Sequence, residues 1–211
     1  HASRPRAWTF AGRPSSLAGG MEAGEQTGVA PARDPGAGRL LIAAGLGAVV
    51  ALTLGIYGGV HDPSDDLAIT LGFSSTITMK VWLASVAALF AVAQLISALW
   101  MYGRLPLGAA PASLGAVHRI CGRIAFIVSL PVAYHCLYQL GFQDTDGRVL
   151  AHSLLGCAFY GAFAAKVVIV RAKGLPGLAL PLAGGLLFAA LVAVWLTSGL
   201  WYIGENGLPS P

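Results

Sequence analysis

Five apolar runs divide the chain, and short polar segments separate them. Each run approaches the ~20 residues that a helix needs to cross a bilayer. The runs are apolar on all sides, unlike the one-sided helices of a soluble bundle, and they lack the alternation of a membrane β-barrel. The pattern predicts an all-α, polytopic membrane protein whose five transmembrane helices form an antiparallel bundle. The predicted helices cover about 38–60, 77–102, 114–139, 149–171 and 178–203.

Positive charge predicts how this bundle is oriented. If the N-terminus is cytoplasmic, only Lys80 and Arg148 of the 13 Lys and Arg residues fall at the outer side. The positive-inside rule therefore favours a cytoplasmic N-terminus in a bacterial plasma membrane, as a multi-pass protein. The residues expected at or near the inner face are Arg4, Arg6, Arg13, Arg33, Arg39, Arg104, Arg119, Arg123, Lys166, Arg171 and Lys173.

The two ends of the chain differ from the apolar region between them. Residues 1–37 are rich in Gly, Ala, Pro and Ser and predict a disordered cytoplasmic tail, with Met21 as an alternative native start. The transmembrane domain is expected over 38–204, followed by a short outer tail at 205–211.

Composition agrees with a lipid bilayer as the main partner. Hydrophobic residues make up 56% of the chain and charged residues 10%, whereas soluble domains carry about 25% charged residues. The net charge of +4 is spread over loops between apolar runs, which argues against a nucleic-acid partner. Cys121, Cys136 and Cys157 form no CxxC motif, so neither a disulfide framework nor a zinc site is expected.

Two histidines carry the candidate chemistry. His135 lies four residues before the end of predicted helix three, and His152 about four residues into helix four. Both therefore lie about 6 Å below the outer rim. Ionisable residues inside a membrane are usually functional, and two imidazoles at one depth predict the axial ligands of a haem b iron. Pro131 predicts a kink that admits the porphyrin, and Arg148 and Lys80 are expected to meet its propionates.

Other histidine arrangements stay open. If helices three and four pack at about 8–10 Å, the ligand pair becomes His61 with either His135 or His152. His118 lies about 25 Å from His135 along the helix axis, so it cannot share the same iron. It is an interfacial residue, or it holds a second haem with Met101, or it contributes to a quinone site at the inner face.

Two resemblances support a redox role. The stretches "HRICGRIAFIVSLPVAYHCLY" and "LAHSLLGCAFYGAFAAKVVIV" resemble b-type membrane cytochromes of the ferric-reductase-like and cytochrome-b561-like groups. This resemblance implies a haem b carried by His135 and His152. The span from Leu40 to Ile203 is also similar to a bacterial family of five-helix proteins with no assigned activity. That similarity implies an accessory electron-transfer subunit with a Rieske-type iron–sulfur partner.

These observations lead to three function hypotheses. The first is a haem b electron-transfer subunit of a respiratory or other redox complex, which does no bond chemistry alone. It would relay electrons between an outer-face iron–sulfur or cytochrome protein and quinone or another haem subunit. The second is a cofactor-free membrane anchor or assembly subunit. The third is a copper handler that uses His61, His118, His135 and the three cysteines.

Overall fold

The computed structural model of the protein describes residues 35–64, 66 and 68–211. Residues 1–34 of the predicted tail lie outside this described part. Within it, the five predicted membrane helices are confirmed, because five helical segments are long and apolar enough to cross a bilayer. The elements are α1 (Pro35–Val60), α2 (Thr76–Met101), α3 (Leu114–Tyr134) with a π-helical turn (His135–Leu140), α4 (Gly147–Arg171), α5 (Ala179–Trp195) with a second π-helical turn (Leu196–Leu200), and α6 (Trp201–Asn206).

Polar side chains and glycines mark the helix ends. The Ser75 hydroxyl accepts a hydrogen bond from the Thr78 amide at the start of α2, at 3.2 Å. The Asp146 carboxylate accepts one from the Val149 amide at the start of α4, at 2.9 Å. These N-caps satisfy amides that have no partner inside the helix. The first π-helical turn ends at Gly141, whose φ of 68° is readily adopted only by glycine.

The helices form a bundle in which α4 and α5 lie between α1 on one side and α2 with α3 on the other. The α1 helix packs along α4, α4 packs on α5, and α2 packs on both α3 and α5. A buried apolar cluster joins α2, α4 and α5 and consists of Ala87, Ala91, Phe159 and Leu191. Many leucines and isoleucines point outward, including Leu41, Leu89 and Leu186, as expected where lipid replaces water as the solvent.

The consecutive helices α3 and α4 meet through large aromatic side chains. The rings of Phe126 and Phe163 stack with their centroids 4.0 Å apart, and Phe126 meets Tyr160 edge-on at 6.0 Å. Tyr160 also reaches the Ser129 hydroxyl, at 2.9 Å. These side chains hold the two backbones apart, which leaves space between them further along the bundle.

The contact between α1 and α4 is different, because glycines bring the backbones together. A Cβ at Gly47 would lie 2.7 Å from the Gly161 carbonyl oxygen, and a Cβ at Gly161 would lie 2.5 Å from the Gly47 carbonyl oxygen. Small residues allow this close approach of helices in membranes. In the described part of the chain, α4 is the principal neighbour of α1, and the first π-helical turn is a minor one.

The antiparallel arrangement places the functional candidates at two ends of the bundle. The end of α1, the start of α2, the π-helical turn after α3 and the start of α4 share one end, which we call the His152 end. The start of α3, with His118, lies at the opposite end, which we call the His118 end. By the charge distribution above, the His152 end is the one expected to face outward.

Candidate functional site

A cavity of about 270 Å³ opens at the His152 end of the bundle. Helices α2, α3 and α4, one residue of α1, the π-helical turns that follow α3 and α5, and the start of α6 all contribute to its wall. Most of the wall is apolar, as in ligand cavities generally. The sequence-predicted residues His152, Arg148 and Lys80 all line this cavity. The fold thus brings together three of the side chains that the sequence singles out.

Arg148 is fixed beside the cavity by three contacts. Its Nη1 donates to the Thr197 carbonyl oxygen at 2.8 Å, and its guanidinium carbon lies 3.7 Å from the centroid of the Trp201 ring. Its Nη2 is 3.9 Å from the Asp146 carboxylate, which is a loose ion pair. A guanidinium held by stacking and by a carbonyl loses little further conformational freedom when it binds an anion.

Lys80 adds a second positive charge to the same wall. Within the described part of the chain, the pair formed by Arg148 and Asp146 is the one ion pair, so no carboxylate lies within 4.0 Å of the Lys80 amine. The described residues that line the cavity include these two cations and no Asp or Glu. The cavity therefore favours a ligand with an anionic group next to an apolar body.

Thr197 orients the His152 ring. Nδ1 of His152 lies 3.2 Å from the Thr197 hydroxyl oxygen, and that hydroxyl donates to the carbonyl oxygens of Ala193 (2.9 Å) and Val194 (3.0 Å). Because the hydroxyl hydrogen is directed at those carbonyls, the hydroxyl oxygen is placed to accept a hydrogen bond from an N–H at Nδ1. A neutral His152 then carries its lone pair on Nε2. Metal-bound histidines have this arrangement, in which the second nitrogen donates to a fixed oxygen.

His135 is placed differently from the prediction. Its side chain is fully buried, with Nε2 2.7 Å from the Ile69 carbonyl oxygen and Nδ1 in contact with the Gln139 side chain. His135 is not one of the residues that line the cavity in the described structure. The structure therefore does not bring His135 and His152 into one cavity. His135 instead anchors the loop between α1 and α2 to the end of α3.

The physical reason is the π-helical turn that begins at His135. It follows Pro131, which lies inside α3 and cannot donate a backbone hydrogen bond. Hydrogen bonds from i to i+5 replace those from i to i+4 in such a turn, so side chains point in directions that a regular helix would not give them. A bis-histidine haem would require the His135 ring to leave both of its partners.

His61 lies near the cavity without lining it in the described structure. Its ring is sandwiched between Tyr57, at 4.9 Å between centroids, and Tyr138, at 4.7 Å. Its Nε2 is buried and has no hydrogen-bond partner within the described residues. The alternative role of His61 as an iron ligand stays a prediction, and it requires the ring to leave this aromatic stack.

His118 connects two helices at the opposite end. Its Nδ1 lies 2.8 Å from the Ser97 hydroxyl, and the Gln94 side-chain amide donates to the His118 carbonyl oxygen. These bonds tie α3 to α2, as polar residues commonly do between membrane helices. The second haem and the quinone site predicted there stay predictions. In the described residues, no three His, Cys, Asp or Glu side chains are grouped as a metal site would need, so the copper hypothesis gains no support.

Two residues of the cavity wall were not recognised as functional in the sequence. These two residues are Thr197 and Trp201, and neither belongs to a recognisable motif. Both lie in or next to the second π-helical turn. The sequence feature that could have identified them is a threonine and a tryptophan close together near the end of an apolar run. Antiparallel helices place this part of the run at the same depth in the bundle as the start of α4.

Comparison with known proteins identifies the family of the chain. A family model described as a family of unknown function (DUF6529) matches residues 40–210. The chain belongs to the DUF6529 family. The matched region of this DUF6529 protein includes most of α1, the other four membrane helices and every residue of the cavity wall. No curated protein matches the chain, and no solved structure matches it.

Proposed function

We propose that this DUF6529 protein is an electron-transfer subunit that holds one haem b in the His152 cavity, near the outer face of a bacterial plasma membrane. The observation that carries the proposal is that His152, Arg148 and Lys80 line the same apolar cavity. Haem is an amphiphile with an iron, an apolar macrocycle and two propionates, and each part meets a suitable group here. Bound haem would supply a centre that accepts and releases one electron.

The residues of the chain have separate roles in this proposal. Nε2 of His152 would bind the iron, with the ring held by Thr197. Arg148 and Lys80 would bind the propionates, and Gly156 leaves part of the wall free of side chains. The cavity is just below the ~300–1,000 Å³ of typical ligand pockets. A porphyrin therefore requires the wall side chains to move apart when it binds.

Partner proteins follow from the position of the cavity. A haem close to the outer face would exchange electrons with an iron–sulfur or cytochrome protein on that side, and with quinone or another haem subunit in the membrane. Asp62, Asp144 and Asp146 lie at the His152 end and would attract a cationic partner. The chain itself would relay electrons within a larger redox complex.

The absorbance spectrum of the purified full-length protein tests the proposal. We expect a Soret band in the wild type and its loss in His152→Ala, because the iron loses its imidazole. His118→Ala is the matched control, since it removes a histidine from the opposite end of the bundle, and it should keep the band. A wild type without a Soret band, or an unchanged band in His152→Ala, would refute the proposal.

A cofactor-free anchor or assembly subunit is the second candidate. It is favoured by the observation that both His135 and His118 are hydrogen-bonded within the fold, as structural histidines would be. In that case the cavity would hold a lipid chain whose anionic headgroup meets Arg148 and Lys80. His152→Ala would then leave the assembly and turnover of the larger complex intact.

A further inference from the structure

A shallow groove lies between the start of α1 and the end of α4, at the His118 end of the bundle. Its lining residues in the described structure are Arg39, Val168, Arg171, Ala172 and Lys173. This lining includes three cations and no Asp or Glu. The groove is separate from the His152 cavity, because no described residue lines both. It therefore concentrates positive charge at the end of the bundle that is expected to face the cytoplasm.

The three groove cations have no carboxylate partner among the described residues. The pair formed by Arg148 and Asp146 is the one ion pair in that part of the chain. The side chains of Arg39, Arg171 and Lys173 are all exposed. Like charges that are gathered at one site attract an anion, because the anion relieves their mutual repulsion. The groove is therefore suited to an anionic group from outside the fold.

Arg39 is held at the groove by the chain that follows α4. Its Nη1 donates to the Lys173 carbonyl oxygen, which uses one of the five N–H donors of a guanidinium. Gly174, with a φ of 67°, turns the chain at this point, and a Cβ there would lie 3.3 Å from Nη1 of Arg39. The remaining donors lie in one plane and match the oxygens of a phosphate group. The fold thus preorganises Arg39 as a phosphate ligand.

Apolar side chains lie one helical turn deeper than the cations. On α4, Val168 precedes Arg171 by three residues, and on α1, Ile42 follows Arg39 by three. Residues three apart share a helix face, and three residues rise about 4.5 Å. Ile42 is 66% exposed, and Leu46, about one turn further along α1, is 44% exposed. The surface therefore changes from cationic to apolar with depth, in the order in which a phospholipid changes from phosphate to acyl chain.

We propose that this groove binds the phosphodiester headgroup of an anionic phospholipid from the inner leaflet. Basic pockets between membrane helices on the cytoplasmic side are suited to such headgroups. Arg39 binds the phosphate from α1, Arg171 and Lys173 bind it from the end of α4, and the acyl chains follow the apolar side chains below. The lipid then links α1 to its principal neighbour. This site does not depend on the occupant of the His152 cavity.

Lipid titration of the purified, delipidated full-length protein in detergent tests this proposal, with native mass spectrometry counting the bound lipids. We expect phosphatidylglycerol to bind more tightly than phosphatidylcholine with the same acyl chains. The double variant Arg171→Gln/Lys173→Gln should weaken phosphatidylglycerol binding about 25-fold, because each basic residue near an anionic headgroup contributes about fivefold. Both side chains are exposed, so their replacement should leave the fold intact.

The double variant Arg104→Gln/Arg119→Gln is the matched control. It removes two charges from the same end of the bundle, at residues that do not line the groove. It should change the Kd by less than about threefold, because salt screens exposed charges that lie far from the lipid. Equal weakening in the two variants, or equal wild-type affinity for the two lipids, would overturn the proposal. Displacement of the lipid by equimolar inorganic phosphate would also overturn it, by showing a site for free phosphate.

Discussion

The glycine contact between α1 and α4 leads to a quantitative prediction about stability. In Gly47→Ala the new Cβ would meet the Gly161 carbonyl oxygen at 2.7 Å and the Ala165 Cβ at 3.1 Å. Ordinary contacts begin near 3.4 Å, so the two backbones would have to separate by about 0.7 Å. Overpacking of this kind typically costs about 1–3 kcal/mol.

Gly45→Ala is the matched control for this substitution. Gly45 lies two residues earlier on α1, and a Cβ there meets nothing within 4 Å. Both changes gain the same helix propensity, about 1 kcal/mol for Gly to Ala. The difference between the two variants therefore isolates the helix contact, and it should equal the full overpacking cost.

Thermal unfolding in a fixed detergent measures this difference. For a chain of this size, about 1–3 kcal/mol corresponds to a Tm that is about 2–12 °C lower in Gly47→Ala than in Gly45→Ala. Equal Tm values in the two variants would refute the close packing of α1 on α4. A lower Tm in Gly45→Ala would indicate that a different face of α1 meets the bundle.

Three further predictions concern single hydrogen bonds. Thr197→Val removes the acceptor of the His152 Nδ1 proton and should weaken haem binding by about 10–100-fold, measured by titrating haem into the apoprotein; unchanged affinity would contradict the role of Thr197. Asp146→Ala removes the N-cap of α4 and should lower the free energy of unfolding by about 1 kcal/mol, whereas Asp144→Ala, which caps no helix, should change it little. Ser97→Ala leaves Nδ1 of His118 without its hydroxyl partner and should lower the free energy of unfolding by about 1–3 kcal/mol. The Soret band should stay unchanged, and its loss would instead connect the His118 end to the haem.

Much of the fold could be predicted because a bilayer constrains it strongly. Each of the five spans had to be long, apolar and helical, since lipid offers no partners for backbone polar groups. The shared location of His152, Arg148 and Lys80 also followed from the sequence. Antiparallel neighbours place the start of one helix beside the end of another, so depth along each helix could be counted from its end.

The orientation of individual side chains could not be predicted in the same way. Counting at 1.5 Å per residue places His135 at the right depth, but it assumes a regular helix. The π-helical turn after Pro131 changes the direction of the His135 side chain, and the loop residue Ile69 then bonds it. Proline signals a departure from the regular helix, yet neither the type of turn nor its long-range partner is encoded locally.

The occupant of the His152 cavity tests the account most directly. An experimental density map of the wild-type protein, purified from its native membrane in detergent, would show that occupant. We predict a planar macrocycle with its iron at bonding distance from Nε2 of His152 and its carboxylates beside Arg148 and Lys80. A lipid chain in the cavity, or a macrocycle bound elsewhere in the bundle, would contradict the account.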